Sequence, residues 1–210
     1  MNRNAAPLVS ARRGRGFSLL RVILVCLLGS ALAGLLWVGL HARKPSLEEV
    51  PREQLTLREG RWCVAEHHTP FTGFLVERYE SGQVKSRSLV RQGLLEGWSE
   101  GWYTNGQKQV TECFHAGVSH GLRTKWHANG RKLSEARIVE GRLEGTFRRW
   151  NEDGTLAEEI ELKAGQPDGI SRAYYPSGFL KAEARLRDGK LLEQKLWKEG
   201  EHQSLPRPPK

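Results

Sequence analysis

Three histidines, His115, His120 and His127, lie within a short stretch of the chain, a density of imidazoles that could ligate zinc. They fall in three different columns of the repeat described below, so their spacing does not force them onto one ion. His67 and His68 lie outside that repeat. We read all five as solvated or turn histidines and expect no metal or other cofactor. Cys63 and Cys113 could close a disulfide if this part of the chain lies outside the cytoplasm, where such bonds persist. Cys113 could equally stand as a partly exposed thiol. Glu96, Glu144 and Asp168 have the chemistry of general acids and bases, but each precedes a glycine at the same repeated position, which suits a structural role. Trp98, Tyr103 and Tyr175 are aromatic groups that could stack on a peptide or a sugar.

What positions these residues is a meter of glycines. Gly73, Gly97, Gly121, Gly145 and Gly169 form one series, and Gly82, Gly106, Gly130, Gly154 and Gly178 a second. Gly93, Gly117, Gly141, Gly165 and Gly189 form a third, and every step in all three is 24 residues. Fifteen of the 23 glycines are thereby placed. A fixed period of this size is the signature of stacked supersecondary units. An active site would ordinarily break such a repeat with an insertion, and these five copies contain none, so no enzyme activity is expected.

Each copy reads as a β-hairpin. Ser81, Asn105, Asn129, Asp153 and Ser177 precede the second glycine, a strong hairpin signal. The turn is either a two-residue loop or a three-residue loop closed by a left-handed glycine. Trp102, Trp126, Trp150 and Tyr174 form an aromatic ladder, with Arg78 in the first copy. The returning strand carries an apolar column of Val90, Phe114, Ile138, Leu162 and Leu186 and a polar column that includes Glu135, Glu159 and Glu183. A three-residue loop sets Trp150 opposite Leu156 and, by strict alternation, puts the ladder on the face of Leu162. That reading makes the ladder a buried ridge, and leaves Arg87, Arg137, Arg185 and the glutamates on a solvated face. The seven residues between hairpins are read as linkers.

The N-terminus differs from the rest. Residues 22–40 carry no charge, and 15 of the 19 are apolar. As a helix they would span roughly 28 Å, close to the hydrocarbon thickness of a bilayer. Arg3, Arg12, Arg13, Arg15 and Arg21 lie before or at the start of this run, and only Arg43 and Lys44 follow closely, which orients the N-terminus to the cytoplasm. Ala31-Leu32-Ala33 resembles a cleavage site, but the apolar run continues past it, which favours an uncleaved anchor over a signal peptide. Val25 before Cys26 argues against a lipoprotein, and Arg21 stands where a prepilin would carry an acid. These seven cations belong to the 33 in the chain, leaving 26 against 24 acids in the remainder. The net charge of +9 is therefore mostly N-terminal, and nucleic acid is not an expected partner.

The run Gly97-Trp98-Ser99-Glu100-Gly101-Trp102-Tyr103-Thr104-Asn105-Gly106-Gln107-Lys108 resembles the bacterial MORN-repeat variant, found in proteins catalogued as YwqK-like antitoxins. Residues 121–132 and 169–180 repeat the pattern, and the resemblance covers roughly residues 71–190. It implies an all-β fold, a single-layer antiparallel meander of five or six 24-residue hairpins. The expected organisation is a basic cytoplasmic segment over 1–16, a transmembrane helix over 17–41, a spacer over 42–54, the repeat domain over 55–203 and a disordered tail over 204–210. Repeats start near 73, 97, 121, 145 and 169, with a degenerate cap from 191 and a second cap over about 55–70. The expected function is a membrane-anchored, non-catalytic scaffold for protein–protein contact, single-pass in the bacterial inner membrane with its repeat domain periplasmic. The alternatives are an antitoxin or immunity-like protein and a module that binds envelope glycan.

Overall fold

Glycine placed every 24 residues at alternating ends of a strand forces the chain to reverse twice per unit, and it does so by two different turns. At the first, the Tyr79 N–H donates to Gln83 O (2.9 Å) and the Gly82 N–H to Tyr79 O (2.8 Å). The same pair of bonds recurs at Tyr103, His127, Asn151 and Tyr175. Gly82, Gly106, Gly130, Gly154 and Gly178 all hold φ between 81° and 90°, the left-handed position that closes a three-residue hairpin. The three-residue loop expected from the sequence is therefore the one formed.

The second turn corrects the linker reading. Gln92, Ala116, Glu140, Ala164 and Asp188 have φ of 47–50°, and the glycine after each is also left-handed. Two successive positive φ values make a two-residue type I′ turn, with Arg91 facing Leu94 and Val139 facing Arg142 across it. The segments between hairpins are thus hairpins themselves, and the strands run on almost unbroken.

The computed structural model describes residues 47–202. The expected cytoplasmic segment, transmembrane helix and C-terminal tail lie outside the described residues. Among those described, no helix is long and apolar enough to cross a membrane. The N-terminal part holds β1 (Glu49–Pro51), one 3-10 turn (Arg52–Gln54), β2 (Leu55–Arg58) and β3 (Arg61–Val64). The repeats supply β4 (Gly73–Arg78), β5 (Val84–Arg91), β6 (Leu94–Trp102), β7 (Lys108–His115), the two-residue β8 (Val118–Ser119) and β9 (Gly121–Trp126). They continue through β10 (Lys132–Val139), β11 (Arg142–Trp150), β12 (Leu156–Lys163), β13 (Gln166–Tyr174), β14 (Leu180–Arg187) and β15 (Lys190–Leu196). From β5 onward each strand pairs antiparallel with the one before it in one long sheet, except that β8 and β9 both pair with β7, while β2 and β3 form a separate ribbon.

Residues 49–54, assigned to a spacer from the sequence, are folded. β1 pairs parallel with β4, Glu49 opposite Phe74 and Pro51 opposite Val76. Val50 joins Leu55, Phe71, Leu75 and Val90 in the buried core, with Trp62, Val64 and Leu95 packed against it. A single apolar residue among charged neighbours carries this burial, too little to show as a pattern. The expected N-terminal cap is present and lies on the face of Leu75, Val90 and Leu95.

The ladder is on the other face, and this overturns the expected side-chain parity. Trp150 does stand opposite Leu156, but the next pair is Arg149 with Glu158, so Ala157 is a bulge. The same shift occurs beside Arg78, Trp102, Trp126 and Tyr174. One extra residue turns the rest of the strand over. Phe147 then faces Ile160 and Gly145 faces Leu162, while the ladder shares its side with Arg148 and Glu159.

Candidate interaction surface

The ladder face is built from aromatic rings roofed by long cations. The Lys108 ammonium sits 6.0 Å from the centre of the Trp126 ring and that of Lys132 sits 5.2 Å from Trp150, within the range of cation–π attraction. Lys108 is held there by Glu100 at 2.7 Å. Farther along, Arg148 pairs with Glu159 at 2.6 Å, Arg172 with Glu183 at 2.8 Å and with Glu159 at 3.7 Å. These four residues alternate in sign across β11, β12, β13 and β14. The Tyr174 phenol among them is held above its ordinary pKa by burial, with Glu159 and Glu183 adding to the rise and Arg172 opposing it. Trp102, Trp126, Trp150 and Tyr174 are all half-buried, so the ladder is an intermediate layer between backbone and solvent.

Two of the three aromatics expected to bind are used inside the fold. The Tyr103 hydroxyl donates to Trp126 O at 2.8 Å and that of Tyr175 to Trp197 O at 3.1 Å. Tyr79 makes the same bond to Trp102 O, and the His127 Nε2–H to Trp150 O. The column Tyr79, Tyr103, His127, Asn151 and Tyr175 was the available signal, since each residue in it can donate a hydrogen, although Asn151 gives its own to Thr155 Oγ1 at 2.9 Å within the turn. The turns stack similarly: Asn105 Nδ2 donates to Ala128 O and Asn129 Nδ2 to Glu152 O, at 2.8 and 2.9 Å.

Trp98 is the aromatic that remains open, at 56% exposure. It stands on the ladder face opposite Cys113. Leu122, at the same position of the next unit, is 46% exposed. Half-buried Cys113 faces Trp98 across β6 and β7 and stands against Gly121, the residue before Leu122, so the three form an apolar patch toward the type I′ end of the sheet.

The remaining sequence candidates take separate structural tasks. Glu96 Oε2 accepts from the Ala116 N–H at 2.8 Å and Glu144 Oε2 from the Ala164 N–H at 2.8 Å. Each carboxylate thus fixes the first residue of the following type I′ turn. The Ala116 N–H, then His115 at 3.2 Å, hold the Glu96 carboxyl below the usual carboxylate range. His120 Nδ1 accepts from the Glu140 N–H at 3.5 Å. His115, His120 and His127 therefore face three different partners, and among the described residues no group of metal-ligating side chains gathers. Cys63 and Cys113 are both free thiols, the second of the two readings that the sequence left open. The cap that contains Cys63 lies on the aliphatic face, whereas Cys113 projects from the ladder face, so the sheet itself separates them.

No curated protein matches this chain. The sequence profile described as the MORN repeat variant matches residues 143–164. That span is β11 from Leu143, the three-residue turn, and β12 with the first residue of the next type I′ turn, Ala164: 22 residues of one 24-residue unit are similar to a MORN repeat variant.

Proposed function

We propose that this chain is a membrane-anchored, non-catalytic scaffold whose repeat sheet binds a protein partner at the bacterial envelope. MORN repeats are in general modules for contact with proteins and membranes. The observation that carries the reading is the patch of Trp98 and Leu122, large apolar side chains left open on the face that elsewhere carries the ion pairs of Lys108 with Glu100 and of Arg148, Glu159, Arg172 and Glu183. Exposed apolar surface rimmed by charge is a usual mark of an interaction site. The apolar run over residues 22–40 and the basic residues before it support an anchor with the repeat domain periplasmic.

Affinity capture with the full chain from detergent-solubilised membranes tests the reading. A partner recovered reproducibly by the native chain, and depleted when Trp98→Ala and Leu122→Ser are combined, is the expected result. Recovery of no reproducible protein overturns it. A second reading rests on Trp98 alone, since an exposed indole is also a platform for sugar rings. Retention of envelope glycan that is lost in Trp98→Ala, with no protein captured, would favour that module. A neutralised toxin among the captured proteins would specify the scaffold as immunity-like.

A further inference from the structure

The two ends of the long sheet are finished differently. At the N-terminal edge β1 is three residues long and ends in Pro51, which has no N–H to offer, and the cap packs beside it. Such short, proline-bearing edges resist pairing with another chain. At the C-terminal edge β15 is seven residues long and every residue in it is exposed. Leu191, Leu192 and Leu196 are 57%, 57% and 70% exposed.

The register of β15 shows what this edge can accept. The Trp197 N–H donates inward to Lys181 O at 3.0 Å. Main-chain groups alternate in direction along an antiparallel strand, so those of Lys195 and Glu193 also turn inward and those of Gln194 and Leu196 turn outward. Glu193 faces Arg185 and Lys195 faces Glu183 on one side of the sheet, while Gln194 and Leu196 face Ala184 and Ala182 on the other.

We propose that β15 pairs antiparallel with β15 of a second copy of this chain, with the two-fold axis at Gln194. The segment Glu193-Gln194-Lys195 is complementary to itself in that register. Glu193 of each copy stands opposite Lys195 of the other and Gln194 opposite Gln194, while Leu192, the bulge residue between Leu191 and Glu193, lies at the end of the paired stretch beside Leu196 of the other copy. The outward groups of Gln194 then exchange both hydrogen bonds across the axis. Neighbouring self-registers fail on charge: centring on Glu193 sets glutamate against glutamate, and centring on Lys195 sets lysine against lysine. In the free edge Glu193 and Lys195 pair with each other within the strand at 3.3 Å; across the axis each meets the opposite charge of the other copy, extending the alternation of the register neighbours Arg185–Glu193 and Glu183–Lys195. The result is one sheet, continuous through the axis, that carries two copies of each face.

The test uses the full chain in detergent. The single substitutions Glu193→Lys and Lys195→Glu each turn both cross-axis charge pairs into like pairs, and each is expected to weaken self-association roughly tenfold or more. Mixing the two variants restores complementary pairs, so a mixed dimer is expected where neither variant dimerises alone. Circular dichroism of each single variant confirms that the sheet is intact. In a second measurement, oxidation of Gln194→Cys links two copies across the axis. Lys190→Cys, about 27 Å from its own symmetry mate in this register, gives only the background of the native cysteines. A monomeric native chain, dimers that persist in both single variants, equal crosslinking at 190 and 194, or Gln194→Cys linked to a different protein would each overturn the proposal.

Discussion

The phenolic hydroxyl of Tyr103 donates to the main-chain carbonyl of Trp126, 2.8 Å away and one unit further along the sheet. Backbone pairing already joins each strand to the next. This bond instead ties the turn of one unit to the ladder position of the following one, and Tyr79, His127 and Tyr175 repeat it. In a solenoid, where each unit touches only its neighbours, such inter-unit terms set the cooperativity of the array.

Tyr103→Phe keeps the ring and removes the donor, leaving a partly buried carbonyl short of a partner. The expected loss is about 1 kcal/mol, read as a lower urea midpoint with an unchanged slope. Hydrogen exchange should quicken first at β6 through β9, the strands that this bond bridges. An unchanged midpoint would mean that water replaces the hydroxyl at no cost.

Two glycines of the meter should fail for different reasons. Gly106 has φ of 81° and open space where a Cβ would sit, so Gly106→Ala costs only backbone strain, about 1 kcal/mol. Gly106→Asn, which tolerates that conformation, should cost less. At Gly73 φ is not left-handed, but a Cβ would lie 2.6 Å from Glu48 O and 2.5 Å from the Phe71 ring. Gly73→Ala should therefore detach β1, and the Phe74 amide, bonded to Glu48 O at 2.7 Å, should exchange faster. The Phe74 amide should not respond to Gly106→Ala.

Tyr174 links the ladder to alkaline stability. Burial holds its phenol protonated to higher pH than in the unfolded chain. Between the two pKa values the folded state therefore binds more protons than the unfolded state, and stability falls as pH rises through that window. Tyr174→Phe has no proton to lose there, so its urea midpoint should fall less steeply above pH 10 than that of the native chain. Parallel slopes for the two proteins would show that Tyr174 titrates as in the unfolded chain.

The period, the turn at the second glycine and the pairing of Trp150 with Leu156 were all legible in the residues, because glycine geometry and Asn, Asp or Ser before it restrict the backbone directly. The bulge at Ala157 was not. Without it Arg148 would meet Glu158, with it Arg148 meets Glu159, and both are acids, so charge cannot choose the register. No glycine marks the bulge either: its position is held by Lys85, Gln109, Leu133, Ala157 and Lys181, which share no chemistry. The type I′ turns hid for a similar reason. Their first residues are Gln92, Ala116, Glu140, Ala164 and Asp188, of which only Asp188 carries the usual turn signal.

The last unit shows the meter surviving the loss of its glycine. Glu193 replaces glycine at the start of the sixth copy, and the irregularity between β14 and β15 shortens to one residue, Leu192. Trp197, 23 residues after Tyr174, then receives the Tyr175 hydroxyl where 24-residue counting would have placed Lys198. The ladder is thereby completed by a residue that the sequence assigned to a degenerate cap.

The separation of the two thiols by the sheet makes a chemical prediction that does not depend on any partner. Cys113 lies half-exposed on the ladder face, whereas Cys63 is 5% exposed within the cap. A maleimide added to the folded chain should therefore label Cys113, and should label Cys63 only after denaturant opens the cap. Peptide mapping resolves the two sites from each other and from Cys26. Because the cap packs on the same core as β1, Gly73→Ala should also speed labelling of Cys63 without changing that of Cys113. A peptide linking Cys63 to Cys113 in a non-reducing digest of the native protein would contradict this arrangement, since the bond could form only if the cap crossed to the ladder face.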